Sequence, residues 1–172
     1  MIRIIDCLTL EHDLSLVALA ATVCIIGTAA SLTVTQRTGA GARRMLWLKL
    51  LAVCLGSTVW STHFLAMLAY QTSVPMTYAP GLTTASFLAG TLVIGLGLRV
   101  VAIHPSHWPY AITGGAVVGL GVSLLHYLGM EAVELSGRFH YDPMLVTASL
   151  VLSSLFGATG MLVATRSRQL SW

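Results

Sequence analysis

Two histidines in this 172-residue sequence occur in the same local setting. His63-Phe64-Leu65-Ala66-Met67 and His126-Tyr127-Leu128-Gly129-Met130 each place a methionine four residues after an imidazole. On a helix that spacing is one turn along the same face. Imidazole with thioether is a mixed borderline and soft donor set, better suited to Cu(I) or Cu(II) than to Mg or Ca. Zinc is a poorer match, because its usual protein ligands are Cys, His and carboxylate. His12 supplies a third imidazole. The candidate metal ligands are therefore His12, His63, Met67, His126 and Met130. The competing reading makes each histidine an interhelical hydrogen-bond partner and each methionine a packing residue. The sequence shows no nucleophile–base pair and no phosphate-binding loop, so an enzyme is not expected.

The elements that must position these residues are membrane spans. Hydrophobic residues make up 56% of the chain and charged residues 9%, against about 25% charged in a typical soluble domain. The mean hydropathy is +0.83. Three cysteines make no disulfide framework, and disorder, coiled coil and nucleic-acid binding fall with the same numbers. A crossing helix needs roughly 20 apolar residues. Five stretches qualify, from about Leu14 to Val34, Leu46 to Tyr70, Leu82 to Ile103, Tyr110 to Val133 and Met144 to Ala164. All five prolines lie in connections or at helix starts, where a missing N–H costs little. Residues 1–13 lack the pattern of a cleavable signal, so the first span is expected to remain in the bilayer. The fold class is an all-α membrane protein, with residues 1–172 forming a single transmembrane domain.

Charge placement gives the orientation. Arg37, Arg43, Arg44, Lys49, Arg99, Arg166 and Arg168 fall on one side of the predicted spans. Asp6, Glu11, Asp13, Glu131, Glu134 and Asp142 fall on the other, with Arg3 and Arg138. The positive-inside rule puts the first group in the cytoplasm, the N-terminus outside and the C-terminus inside. His63 lies seven residues before Tyr70, hence ~10 Å below the outer end of its span.

The chain also repeats itself, with a period of 63 residues. Beyond the two histidine motifs, Tyr78 matches Tyr141, Pro80 matches Pro143 and Gly56 matches Gly119. Leu82, Thr84, Ala85 and Ser86 match Leu145, Thr147, Ala148 and Ser149. Each unit is a pair of helices, spans two and three, then four and five. An even number of spans preserves orientation, so the units are parallel repeats and put His63 and His126 at one depth. His12-Asp13 before span one resembles Tyr141-Asp142 before span five, which marks span one as the second helix of a unit lacking its first.

With these repeated motifs on outward-running helices, the sequence resembles the MHYT domain over nearly its whole length. The resemblance implies a bacterial integral-membrane sensor module in the inner membrane, commonly joined to cyclic-di-GMP enzymes or other cytoplasmic signalling outputs. It further implies copper held by His and Met residues and the sensing of oxygen, carbon monoxide, nitric oxide or redox state. The literal four-letter word is absent: Thr62-His63-Phe64-Leu65 and Leu125-His126-Tyr127-Leu128 keep the histidine and an aromatic. A third motif on a later span is missing too, so a shortened or excised domain is expected.

Two other functions stay open. His63 and His126 could ligate a b-type haem for electron transfer, or layered His and Met could serve copper uptake or delivery. Gly115 and Gly119 form a G-x-x-x-G that allows close helix approach and a possible homodimer. Glu131 and Glu134 read as solvated interfacial charges, and His140 and Asp142 as a polar loop. Cys24 and Cys54 read as packing residues, Cys7 as an unpartnered thiol, and His104 and His107 receive no role.

The orientation is tested by cysteine labelling in intact cells. Positions near Tyr78 and Arg138 should react with a membrane-impermeant reagent, and positions near Arg43 only after the membrane is opened. Labelling beside Arg43 in intact cells would reverse the assignment.

Overall fold

A computed structural model describes residues 11–36, 43–71, 76–135 and 141–170. Arg3, Asp6, Cys7, Arg37, Arg138 and His140 lie outside them. Five helices follow one another: α1 (Leu14–Gln36), α2 (Arg44–Ala69), α3 (Pro80–Ile103), α4 (Trp108–Glu131) and α5 (Pro143–Leu170). All five are long and apolar enough to cross a membrane. Two short strands, β1 (Thr77–Tyr78) and β2 (Val133–Glu134), pair antiparallel.

Helix starts follow the sequence signals closely. Pro80, Pro109 and Pro143 sit in the first turns of α3, α4 and α5, where φ is already helical and no N–H is needed. These helices therefore begin one or two residues before the apolar stretches do. The Asp13 carboxylate accepts hydrogen bonds from the Ser15 hydroxyl at 2.5 Å and the Ser15 N–H at 2.8 Å, capping α1. Those donors hold its pKa below the usual carboxylate value. Asp142 accepts from Met144 N–H at 2.8 Å in the same way at the start of α5. At its far end α5 continues to Leu170, six residues past the apolar stretch, because no proline or glycine intervenes to stop it.

Each helix packs on the next in the chain, and α2 also touches α4. The most enclosed helix is α4, while α1 and α5 are the least. Glycine decides this. A Cβ at Gly97 would stand 2.7 Å from Val118 Cγ2, and one at Gly121 would stand 2.8 Å from the Ile94 nitrogen, so α3 and α4 meet nearly backbone to backbone. On the other side of α4, a Cβ at Gly115 would reach Ala158 Cα at 2.7 Å, and one at Gly119 would reach Ser154 Cα at 2.8 Å. The G-x-x-x-G is thus occupied by α5 of the same chain, so it offers no surface to a second copy. Leu51, Ala52, Ile94 and Leu98 form the buried core between α2 and α3.

The helices alternate in direction, so charges collect at two ends of the bundle. At the basic end, an Arg44 guanidinium N–H donates to the Ala102 carbonyl in the last turn of α3. At the acidic end, backbone ties join the connections. Asp13 N–H donates to the Ala69 carbonyl at 2.8 Å, Gln71 N–H to the Glu11 carbonyl at 2.8 Å, and Ala79 N–H to the Ala132 carbonyl at 2.8 Å. Thr77 pairs with Glu134 and Tyr78 with Val133 in the ribbon. The apolar stretches extend to Tyr70 and Val133, but the helices end at Ala69 and Glu131 and Val133 belongs to β2. Pairing satisfies backbone groups at helix exits, where few intrahelical partners remain.

Replacing Gly119 by Val should lower stability by about 1–3 kcal/mol, the usual cost of overpacking. Gly160→Ala should be neutral or mildly stabilising, because a Cβ there meets nothing within 4 Å. Reversible unfolding by denaturing detergent in mixed micelles measures both.

Candidate functional site

The two motif histidines meet where α2 passes α4. His63 Nδ1 lies 3.3 Å from His126 Nδ1, and the rings are edge-to-face with centroids 4.9 Å apart. Contact at that range puts both rings at one level of the bundle. The seat for His63 is Gly129, four residues from the other histidine's neighbour Leu125 on α4. A Cβ at Gly129 would fall 2.5 Å from His63 Nε2 and 2.8 Å from its Cδ2. That ring nitrogen is buried without a hydrogen-bond partner. His63 is half-buried and His126 is exposed on its far side.

Aromatic rings surround the pair. Phe64 lies 5.1 Å from His63, 5.0 Å from Trp60 and 5.6 Å from Tyr78. At the offset of 63 residues, Tyr127 lies 5.1 Å from His126 and 5.9 Å from Tyr141. The Tyr127 hydroxyl is 2.6 Å from the Ser149 hydroxyl, and one turn deeper Ser123 and Ser153 are linked at 2.6 Å. The Tyr78 hydroxyl is buried with no partner, and burial raises its pKa above 10.0. Burial, followed by the Glu131 carboxylate, raises that of Tyr141.

Of the five residues expected to form the site, the structure joins His63 and His126. Met67 and Met130 are half-buried one turn along α2 and α4. His12 is elsewhere. Its ring lies on Tyr70 with centroids 5.1 Å apart, and its backbone bridges the same residue. Because α1 starts level with the end of α2, His12 sits ~10 Å beyond His63 along the bundle. Among the described residues, no group of three or more His, Cys, Asp or Glu is close enough to hold a metal ion. Sequence reasoning missed Gly129 as the seat of His63. The signal was present in the aligned motifs, where Gly129 stands opposite Ala66.

Five apolar helices with a histidine pair where two of them pass define a multi-pass membrane protein, and the inner membrane is its expected location in a bacterium. The chain belongs to the MHYT family, the bacterial signalling protein N-terminal repeat, whose model matches residues 56–114 and 119–172. The two matches begin 63 residues apart, the period seen in the sequence. It is similar to a signalling protein of Caulobacter vibrioides, 36% identical over 163 residues, which is 94% of this chain and 20% of that protein. It is also similar to two Pseudomonas aeruginosa proteins. One is the bifunctional diguanylate cyclase/cyclic di-GMP phosphodiesterase MucR, 28% identical over 92% of this chain and 23% of that one. The other is the cyclic di-GMP phosphodiesterase NbdA, 31% identical over 81% of this chain and 18% of that one. The chain spans about a fifth of the length of the curated relatives it matches. No solved structure matches. This is an MHYT sensor domain of the kind found in signalling proteins.

Two outcomes follow from the geometry. Gly129→Ala should displace the His63 ring and shift its imidazole nitrogen resonances, with helical content unchanged, whereas Ala66→Gly at the exposed counterpart should leave them in place. The stability linked to the Tyr78 phenol should be complete below pH 10.0 and lost as pH rises through its raised folded value. Tyr78→Phe should remove that component from the pH dependence of unfolding.

Proposed function

We propose that this domain senses a diatomic gas or redox state through a copper ion held by His63 and His126. The observation that carries this reading is the 3.3 Å separation of the two Nδ1 atoms within the membrane-spanning part of the bundle. Two imidazole nitrogens this close could donate to one metal ion. Buried polar groups normally find partners, and an ion shared by the two Nδ1 atoms would be one. Intramembrane histidines mark functional sites for the same reason.

His63 and His126 would supply nitrogen donors, and Met67 and Met130 the thioether donors nearest them in sequence. When bound, copper supplies a redox-active centre with affinity for small diatomic ligands. His63 is held by Gly129 and the Phe64 ring, so its position is fixed by packing. His126 is open on one side, which gives small molecules access. Because α4 is held at backbone distance against α3 and α5, a change in the histidine pair would shift these three helices together against α2. The basic end then lies in the cytoplasm, where α5 would pass the change to a signalling output. MucR and NbdA carry cyclic-di-GMP enzyme names, which makes an output of that class the first to test. Haem fits less well, because the two imidazole rings lie with centroids 4.9 Å apart and leave no room for a macrocycle between them.

Metal analysis of protein purified without chelators should find copper. The double variant His63→Ala, His126→Ala should lose it, with affinity falling more than ~10-fold while the helices persist. Met67→Leu and Met130→Leu should weaken Cu(I) more than Cu(II), since thioether prefers the softer ion. Copper binding unchanged in the double variant defeats the proposal, and an intense Soret band would substitute haem.

A further inference from the structure

Far from the histidines, the bundle opens at its basic end. The second half of α1, the first half of α2 and the ends of α3 and α5 splay around a cavity of about 190 Å³. Leu32, Leu48, Leu51, Val101 and Met161 give it apolar walls. Cavities of ~150 Å³ lined this way stay dry and take apolar guests. Between α1 and α5, the two least buried helices, the neighbouring phase is lipid. One polar group of a different kind stands in the lining: Arg44. Its guanidinium is tethered at the rim by the Ala102 carbonyl, and it carries five N–H donors, more than one carbonyl takes up. Arg43 precedes it and is exposed, and exposed Arg166 follows Thr165, another lining residue.

We propose that this cavity binds one anionic phospholipid of the adjoining leaflet, with an acyl chain between α1 and α5 and the phosphate at Arg44. The charge pattern selects the occupant. A second copy of the chain would bring its own arginines to this end, and a neutral lipid would gain nothing from the cations. Guanidinium matches phosphate bidentately, and basic pockets between spans are established sites for acidic headgroups. The lipid would also fill the void that the splayed helices leave, and so couple the ends of α1 and α5. The site is separate from the histidine pair and does not rest on copper.

Native mass spectrometry of the full chain in detergent, titrated with dioleoyl-phosphatidylglycerol or dioleoyl-phosphatidylcholine, tests this. Phosphatidylglycerol should be retained in preference, and Arg44→Gln should reduce its retention about fivefold, the effect of one cation at a membrane surface. Gly160→Leu is the second variant. Gly160 lines the cavity and has open space around it, so the side chain should displace the acyl chain while circular dichroism stays unchanged. This variant decides the question if Arg44→Gln does not fold. Equal retention of the two lipids, or retention unaffected by Gly160→Leu, overturns the proposal. Displacement of phosphatidylglycerol by inorganic phosphate would make this a simple anion site, and loss of a dimer in Gly160→Leu would make it a contact between copies. Either result also overturns it.

Discussion

Lipid tails are as apolar as leucine, so two helices that meet inside a bilayer gain little from the hydrophobic effect. What remains is dispersion, which falls off steeply with a gap of even an ångström, together with whatever hydrogen bonds cross the interface. Close approach of backbones is therefore the constraint from which the bundle is built, and α4 is where it operates. Gly97, Gly114 and Gly121 bring α3 against one face of α4, and Gly115, Gly119 and Gly157 bring α5 against another. A helix held on two sides at backbone distance has little freedom to shift. His126 and Gly129 ride on it, so their place in the bundle is set by glycines several turns away.

The same absence of water governs the polar groups. Most hydroxyls in the spans donate to carbonyls of their own helix, as Thr22, Ser31, Thr58 and Thr113 do. Others pair across an interface, as Ser123 with Ser153 and Tyr127 with Ser149. Thr62, His63 and Tyr78 stand against this pattern with buried polar atoms that have no partner. Thr62 and His63 are sequence neighbours, and Tyr78 reaches the same region through Phe64. Thr91, packed against Gly56 deeper in the bundle, is a further such group, so three of these atoms lie near the histidine pair and one does not. A merely structural pair would be expected to sit in a fully satisfied surround.

Much of this was legible in the sequence because the relevant signals are local. Span number and position follow from hydropathy, and helix starts from Pro80, Pro109 and Pro143. The meeting of His63 and His126 was inferable because the 63-residue offset in the sequence implies one depth for both, which restricts where two residues can lie. Other features depend on which faces meet, and periodicity does not state that. His12 was read as a third imidazole ligand from its place just before the first span. The tie between Asp13 and Ala69 instead sets it beside Tyr70. Gly115 and Gly119 gave a correct sign of close packing, but the partner is α5. The ribbon of β1 and β2 left no trace, since strands of two residues carry no alternation to read.

Several contacts recur at the 63-residue offset, and the departures from that recurrence bear on the site. Gly56 faces Thr91 as Gly119 faces Ser154, and Phe64 faces Tyr78 as Tyr127 faces Tyr141. Around the histidines the match breaks. Gly129 replaces Ala66, Tyr127 replaces Phe64, and the Ser123–Ser153 pair stands where the other unit has Trp60 and Gly90. Each change alters polarity or volume within two turns of a histidine. The His63 ring is half-buried and seated on a glycine. The His126 ring is exposed. Two copies of one motif have thus become two different environments for imidazoles 3.3 Å apart. An unequal pair has one nitrogen held by packing and one free to respond. That division suits a site whose state must change, and a symmetric pair locked on both sides would oppose it.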